Sequence, residues 1–349
     1  MSMTPSNGAP LEFGLFDWIE WDKLPASEIY EQRLKMLEYA DRHDFFCYHL
    51  AEHHITPLSL APSPGVFLAA AAQRTKRIRL GPLVYLLPFY SPLRLLQEIC
   101  MLDQLSQGRL ELGVGRGIVP MEAVHYGVDL AESWAMFHEA LEVLLTGLTQ
   151  DTLNYEGKYY CYKDIRMWMN TWQKPYPPLW YATHNTETVP WIAQHGLNTS
   201  SVFLSAAETK GHFDLYKQIW QERQGDPNRL NQHVKEPKLG LTRHVYVAPT
   251  DEEAVRQCKE TFGPWLHNIS YLWDKAGVGL PVKVDFDDWL AKEVIIAGSP
   301  QSVREQVQRT VVESGINYFC AIFAWGDLTH EQVMRSMQLF SEEVIPAFQ

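Results

Sequence analysis

Apolar and polar positions along this chain alternate in blocks: a short apolar run, a turn, then a stretch with helical spacing. Glu12 to Phe16 reads as a buried strand, and residues 27–43 then set Ile29, Leu34, Leu37 and Ala40 on one helical face. Phe46 to Ala51 is a second strand, followed by a helix from Pro64 to Thr75 that proline can open at its first turn. Ile78 to Leu87 is a third strand, with Gly81-Pro82 inside it, and residues 92–106 form a helix ended by Gly108. Leu110 to Gly115 is a fourth strand and residues 132–147 a fourth helix. Strand–helix alternation of this kind argues for a parallel sheet.

Leu153 to Trp168 breaks the rhythm: aromatic-rich flanks surround a Glu156-Gly157 turn, the pattern of a β-hairpin insertion. The alternation resumes with strands at Leu179–Ala182, Leu197–Phe203, Gly240–Val247 and Ile316–Phe323. Helices fall at Thr186–Gln194, 206–223, 250–266, Ser299–Glu313 and 329–344. Thr250 with Asp251, Glu252 and Glu253 is good chemistry for a helix start. Asn268 to Lys292 has no clean period and reads as a long lid-like loop. No fixed-period repeat occurs, and no GxGxxG follows the first strand, as a Rossmann fold would require. Eight strand candidates predict one α/β domain over 1–349, a TIM (β/α)8 barrel with a hairpin insertion and a lid-like loop. The insertions are expected at about 151–178 and 268–293.

Composition narrows the picture. A chain of 349 residues suits one large barrel, for which about 250 residues plus insertions is usual. With 46% hydrophobic and 21% charged residues it is no disordered acidic chain. A net charge of -12 without any Lys/Arg-rich run argues against nucleic-acid and anionic-membrane partners. The five cysteines have no CxxC spacing, so neither a disulfide framework nor a metal site is expected. Met1–Pro10 lacks the basic and apolar regions of a signal peptide, and no apolar run approaches the roughly 20 residues that span a bilayer. A reduced cytoplasmic enzyme is the simplest reading.

In a barrel, chemistry sits at the C-terminal ends of strands. Glu52-His53-His54 follows the second strand; it is either an acid/base group or a hydrogen-bonded structural pair. Adjacent histidines on extended backbone point apart, which argues against a shared metal. Gly113-Val114-Gly115-Arg116-Gly117 follows the fourth strand. It is either a tight turn or a phosphate cradle with a forked guanidinium donor. Thr183-His184-Asn185-Thr186 leads into a helix whose start either receives a phosphate or is capped by Asn185 or Thr186. Phe16, Trp18, Trp21, Tyr85, Phe89, Trp168, Trp172 and Trp325 either line a pocket or pack in the core.

Several segments together resemble the bacterial luciferase-like flavin monooxygenase family, in particular its luciferase (alkanal monooxygenase) branch. They are LAEHH at Leu50–His54, the block Leu80–Gly117, WIAQHGL at Trp191–Leu197, AGSPQSV at Ala297–Val303 and MQLFSEEVIP at Met337–Pro346. The resemblance runs from about Phe13 to Pro346. It implies a TIM barrel that binds FMN in reduced form, supplied by a separate NAD(P)H:flavin reductase. The implied reaction oxidises an apolar aldehyde, ketone or similar small molecule with O2 through a flavin C4a-peroxide. The alternatives it leaves are a deazaflavin-dependent oxidoreductase of the same superfamily and a non-catalytic flavin-binding subunit.

Residue by residue, the resemblance makes Arg116 the phosphate arginine, beside Gly115 and Ile118. It makes Leu83–Val84 a non-proline cis peptide against the flavin ring, and puts His184, Asn185 and Thr188 at the ribityl chain and phosphate. His53, with Glu52 beside it, takes the catalytic place, and His54 should point elsewhere. Three positions depart from the family pattern: His184-Asn185 replaces a commoner Glu-Ser pair, Gly115 a cysteine of luciferase, and Asp44 a glycine. Aspartate tolerates the left-handed turn that the last position needs. The family also implies a homodimer formed through the early helices, here 64–75 and 91–106.

Overall fold

The computed structural model describes residues 11–349; the reading of Met1–Pro10 lies outside them. The chain opens with β1 (Glu12–Asp17), α1 (Ala26–Ala40), β2 (Phe45–Leu50), α2 (Pro64–Arg74), β3 (Arg79–Pro82) and the two-residue β4 (Tyr85–Leu86). Next come α3 (Pro92–Ser106), β5 (Leu112–Gly115), α4 (Pro120–His125), α5 (Ser133–Thr149), β6 (Thr152–Glu156), β7 (Cys161–Arg166) and β8 (Leu179–Trp180). The second half holds α6 (Val189–Gln194), β9 (Thr199–Val202), α7 (Ala206–Glu222), β10 (Leu239–Val247) and α8 (Asp251–Lys275). It ends with α9 (Phe286–Ala291), β11 (Ile295–Gly298), α10 (Pro300–Ser314), β12 (Tyr318–Ile322) and α11 (His330–Leu339).

Parallel strands curl into a sheet with helices outside. Direct pairing runs β11–β10–β12–β1–β2–β3, with β9 also on β10, while β4 and β8 pair with β5. Two isolated parallel bridges, Leu80–Leu110 and Trp180–Asn198, link these sets. Followed through the bridges, neighbours run β1, β2, β3, β5, β8, β9, β10, β12 and back to β1. β6 and β7 form a separate antiparallel pair. The strands bury both faces, as parallel strands under helices must: every residue of β10 and of β12 is buried.

Local chemistry explains the helix ends. Ser205 with Glu208 and Thr329 with Gln332 form capping boxes at α7 and α11. Pro64, Pro92 and Pro300 open α2, α3 and α10. Asp44 turns the chain into β2 at φ +46°, the left-handed conformation expected of it.

The third strand differs from its sequence reading. Its ladder stops at Pro82, the Leu83–Val84 peptide is cis, and pairing restarts at Tyr85. The supposed loop from Asn268 is also shorter, because α8 continues past residue 266 to Lys275. Pro264 lies inside it, but Thr261, Phe262, Trp265, Asn268 and Leu272 form one buried stripe at helical spacing that holds the last turns. The stretch without helix or strand is 276–285, followed by α9. Residues 295–298, left unassigned by periodicity, form β11 on the distal half of β10.

At the β3–β5 seam backbone packs on backbone. A methyl group on Gly81 would lie 2.2 Å from the Glu111 carbonyl oxygen, and one on Gly113 2.1 Å from the Pro82 carbonyl oxygen. Both obstacles are backbone and cannot rotate away. Gly113→Ala should therefore destabilise the protein by about 1–3 kcal/mol or more, the range for overpacking. Chemical denaturation measures this; an unchanged midpoint would show that the two strands can spread.

Candidate active site

A cavity of about 460 Å³ opens at the C-terminal ends of the strands. Trp18 follows β1, Glu52 and His53 follow β2, Leu83 and Val84 follow β3, Arg116 follows β5, His184 follows β8 and Phe203 follows β9; all line it. The volume falls in the ordinary range for a small-molecule site. Three bulky residues just past these strand ends, Ile19, Ile55 and Phe203, hold φ of +54°, +56° and +67°. Each such conformation costs about 1–3 kcal/mol, and strain of this kind gathers where the chain must aim side chains.

Glu52 is buried in the cavity wall. Its carboxylate accepts from the Tyr90 hydroxyl at 2.8 Å and the Leu86 N–H at 3.2 Å, and lies 2.8 Å from His54 Nε2. Burial pushes the Glu52 carboxyl above the usual carboxylate range, against the pull of His54 and these donors. His53 and His54 diverge. His53 Nδ1 lies 3.1 Å from Glu122 Oε1, while His54 Nδ1 lies 2.8 Å from the Tyr126 hydroxyl. Glu122 Oε1 also accepts the His54 N–H at 2.8 Å, and its Oε2 is buried without a partner. Burial opposes charge on His53, but Glu122 and then Glu52 outweigh it and leave its pKa above the usual value.

Arg116 is half-buried and uncommitted. Its guanidinium donates one long hydrogen bond, 3.3 Å to Ser133 Oγ, and makes no ion pair among the described residues. Gly115 beside it packs on Val84: a methyl group there would sit 2.4 Å from Val84 Cγ2. Gly117 turns at φ +79°. Ile118, His184 and Asn185 also line the cavity, and Asn185 Oδ1 caps the next turn by accepting the Thr188 N–H at 3.1 Å. Thr188 does not line the cavity: its hydroxyl is turned onto Thr183, and its N–H is taken by that cap.

The opposite wall is apolar. Ile269, Leu272 and Trp273 from α8 join Leu280, Pro281, Val282, Val284 and Trp289, facing Phe16, Trp18 and Phe203. Of the aromatic set read from the sequence, Phe16 and Trp18 reach the cavity; Trp21, Trp168 and Trp172 are solvent-exposed. Tyr85 is buried against Glu98, Phe89 packs on Tyr126, and Trp325 packs on His244 behind the cavity. Burial pushes His244 down to about 3, so this aromatic cluster holds a neutral imidazole. Sequence reading missed Glu122, Tyr126, Phe203, Trp273 and Trp289. The first two sit on or just after α4, whose six residues are too few for a periodic signal.

A family model described as luciferase-like monooxygenase matches residues 11–318. The chain belongs to the luciferase-like monooxygenase family. It is 34% identical to an uncharacterized protein of Sinorhizobium fredii over 96% of both chains. It is 24% identical to the oxygenase component of the flavin-dependent trigonelline monooxygenase of Acinetobacter baylyi, over 97% of this chain and 96% of that one. Among solved structures it resembles the oxygenating constituent of 3,6-diketocamphane monooxygenase from Pseudomonas putida, in complex with FMN. That match has TM-score 0.80 and 22% identity, and covers 97% of this chain and 99% of the other. At that identity the likeness speaks for the fold. No helix of the described residues is long and apolar enough to cross a membrane.

The His53–Glu122 pair yields a titration test. Because the folded pKa of His53 is raised, the pairing adds stability that is full below the ordinary value of 6.5. That stability is lost as pH rises through the raised value. Glu122→Gln should lower the His53 pKa, because it removes the close opposite charge that raises it. NMR titration of the ring reads this directly; an unmoved pKa would mean that Glu122 does not set it.

Proposed function

We propose that this protein is a monooxygenase that uses reduced FMN and O2 to oxidise an apolar aldehyde, ketone or similar small molecule. A separate NAD(P)H:flavin reductase supplies the reduced FMN. One observation carries the reading: a single cavity joins an uncommitted guanidinium on a glycine turn, His53 with the carboxylates of Glu52 and Glu122, and an aromatic wall. The residues present fit a flavin phosphate. Arg116 lacks a partner anion, and Gly115 and Gly117 keep its turn free of side chains. His184 and Asn185 are placed to reach the same end of such a ligand, and Leu83 and Val84 would pack on its ring. FMN, when bound, supplies the oxygen chemistry.

The chain supplies the rest. The lid in this reading is 276–285 with the last turns of α8, which would keep water from the reacting centre. Its side chains Leu280, Pro281, Val282 and Val284 already line the cavity. His53 donates and recovers a proton at the cavity wall, steadied through Nδ1 by Glu122. Glu52, kept more basic by burial, takes up and passes on a second proton beside it. The surrounding ring of parallel strands acts as a (β/α)8 barrel with the β6–β7 hairpin as an insertion. Val66, Met101 and Leu105, exposed apolar residues on α2 and α3, support a homodimer through those helices.

A substrate panel assayed with reduced FMN and O2, with products read by mass spectrometry, tests the activity. A match in which reduced deazaflavin alone supports turnover would replace the cofactor assignment. Arg116→Ala should weaken FMN binding by about 1.5–3 kcal/mol, the value of a hydrogen bond to a charged group. Unchanged affinity by fluorescence titration would remove Arg116 from the phosphate site. His53→Ala should lower turnover by about 10²–10⁴-fold while FMN affinity stays near the parent value. Oxidation at the parent rate would leave the His53–Glu122 pair a purely structural one.

A further inference from the structure

Three hydrogen-bonding groups run from the cavity wall to the protein surface. Glu52 lines the cavity and is 2% exposed, His54 is 4% exposed, and Tyr126 is 44% exposed. His54 spans the gap with both ring nitrogens: Nε2 is 2.8 Å from Glu52 Oε1, and Nδ1 is 2.8 Å from the Tyr126 hydroxyl. Phe89 shields the link. It stacks on Tyr126 at 4.9 Å and 9°, and meets the His54 ring edge-on at 5.8 Å. A histidine whose two nitrogens face a buried acid and a half-exposed hydroxyl can pass a proton through its ring. The neighbouring pair is closed by contrast. His53 ends on Glu122, which is 1% exposed and whose second oxygen has no partner.

We propose that Tyr126 and His54 form a proton relay that refills Glu52 from bulk water during turnover. The proposal rests on the monooxygenase reading above. Oxygenation with a reduced flavin anion sends one oxygen atom to the substrate and the other to water. That water takes one proton from solvent in each cycle. With the lid and substrate closing the cavity, protein groups must carry it. The relay starts with ionised Glu52 accepting from His54 Nε2–H, and with His54 Nδ1 accepting from the Tyr126 O–H. The Nε2–H bond breaks as Glu52 Oε1 gains the proton. The Tyr126 O–H bond breaks as Nδ1 gains one, and water returns a proton to the Tyr126 oxygen. The net change is one proton moved from water to Glu52, with no change of oxidation state. Once Glu52 has passed its proton on and the cavity reopens, Nδ1 returns its proton through Tyr126 to water and Nε2 takes one from cavity water by way of Glu52, which restores ionised Glu52 and the Nε2–H form. His54 and Tyr126 are thus positioning residues that act through Glu52.

The first test needs no cofactor. In flavin-free protein labelled with ¹⁵N-histidine, NMR should find neutral His54 as the Nε2–H tautomer; the Nδ1–H tautomer would overturn inward delivery. The second test uses turnover with reduced FMN and O2. Tyr126→Phe, at a half-exposed position, should slow turnover about 10–100-fold with KM unchanged and raise the solvent deuterium isotope effect. In His54→Ala, added imidazole should restore turnover, and 1-methylimidazole, which has no ring N–H and a single hydrogen-bonding nitrogen, should not. Equal rescue by both compounds, or a Tyr126→Phe variant with the parent rate and isotope effect, would overturn the relay. If His54→Ala does not fold, the Tyr126→Phe arm decides. If the parent neither binds FMN nor turns over, the proposed function fails, and the tautomer measurement still judges the relay on its own.

Discussion

Side chains are missing where β3 meets β5, and the candidate site is arranged around that seam. Gly81, Gly113 and Gly115 each bring backbone or a neighbouring side chain to within 2.1–2.4 Å of where a methyl group would be. Close approach of the two strands puts the Val84 side chain on one side of the turn and Arg116 on the other. A side chain at Gly81 or Gly113 would meet backbone and push the strands apart, whereas one at Gly115 would meet the Val84 side chain. Glycine loses more backbone freedom on folding than any other residue, and at Gly81 and Gly113 the fold accepts that cost because backbone fills the space a side chain would take.

The neighbouring β1–β2 arc of the ring is held by polar groups instead. Asp17 at the end of β1 is buried and fully occupied. It accepts from Arg33 Nε at 2.9 Å, the Tyr48 hydroxyl at 3.1 Å and the Ile19 N–H at 2.8 Å. Those bonds tie α1 and β2 to β1 and hold Ile19 in its left-handed turn, so Trp18 reaches the cavity. Glu52 and Glu122 differ from Asp17 in having no arginine partner; their company is histidine. Histidine, unlike arginine, can exchange a proton near neutral pH.

Much of the fold was legible in the sequence, because buried parallel strands are short apolar runs and their helices carry proper caps. Boundaries failed where a tertiary feature overrode periodicity. The cis peptide divides an apolar run that looks continuous from Ile78 to Leu87, and α8 outlasts its proline because a buried stripe continues beyond it. β11 is four residues long and gains meaning only beside β10. At the site, His53, Glu52 and Arg116 were legible because they follow strand ends, and family resemblance sharpened them. Glu122 and Tyr126 were not: their partners lie about 70 residues away, and no local pattern marks such a contact. That Thr188 stands off the cavity lining was not legible, because a short polar turn does not reveal which of its groups cap the chain.

The placement of β11 divides labour within the cavity. The charged and hydrogen-bonding wall is gathered from the ends of many strands, each locked in register with its neighbours. The apolar wall from Ile269 to Trp289 comes from one continuous stretch between β10 and β12. β11 rejoins that stretch to the distal half of β10, at His244–Val247, leaving Gly240–His244 to pair with β12. The stretch is therefore a loop in the topological sense, anchored at both ends to one strand. Its length and side chains can change without shifting any register in the ring. Shape selection and proton chemistry are separately variable in this architecture, so a lineage can retune what fits the cavity while its ionisable wall stays as it is.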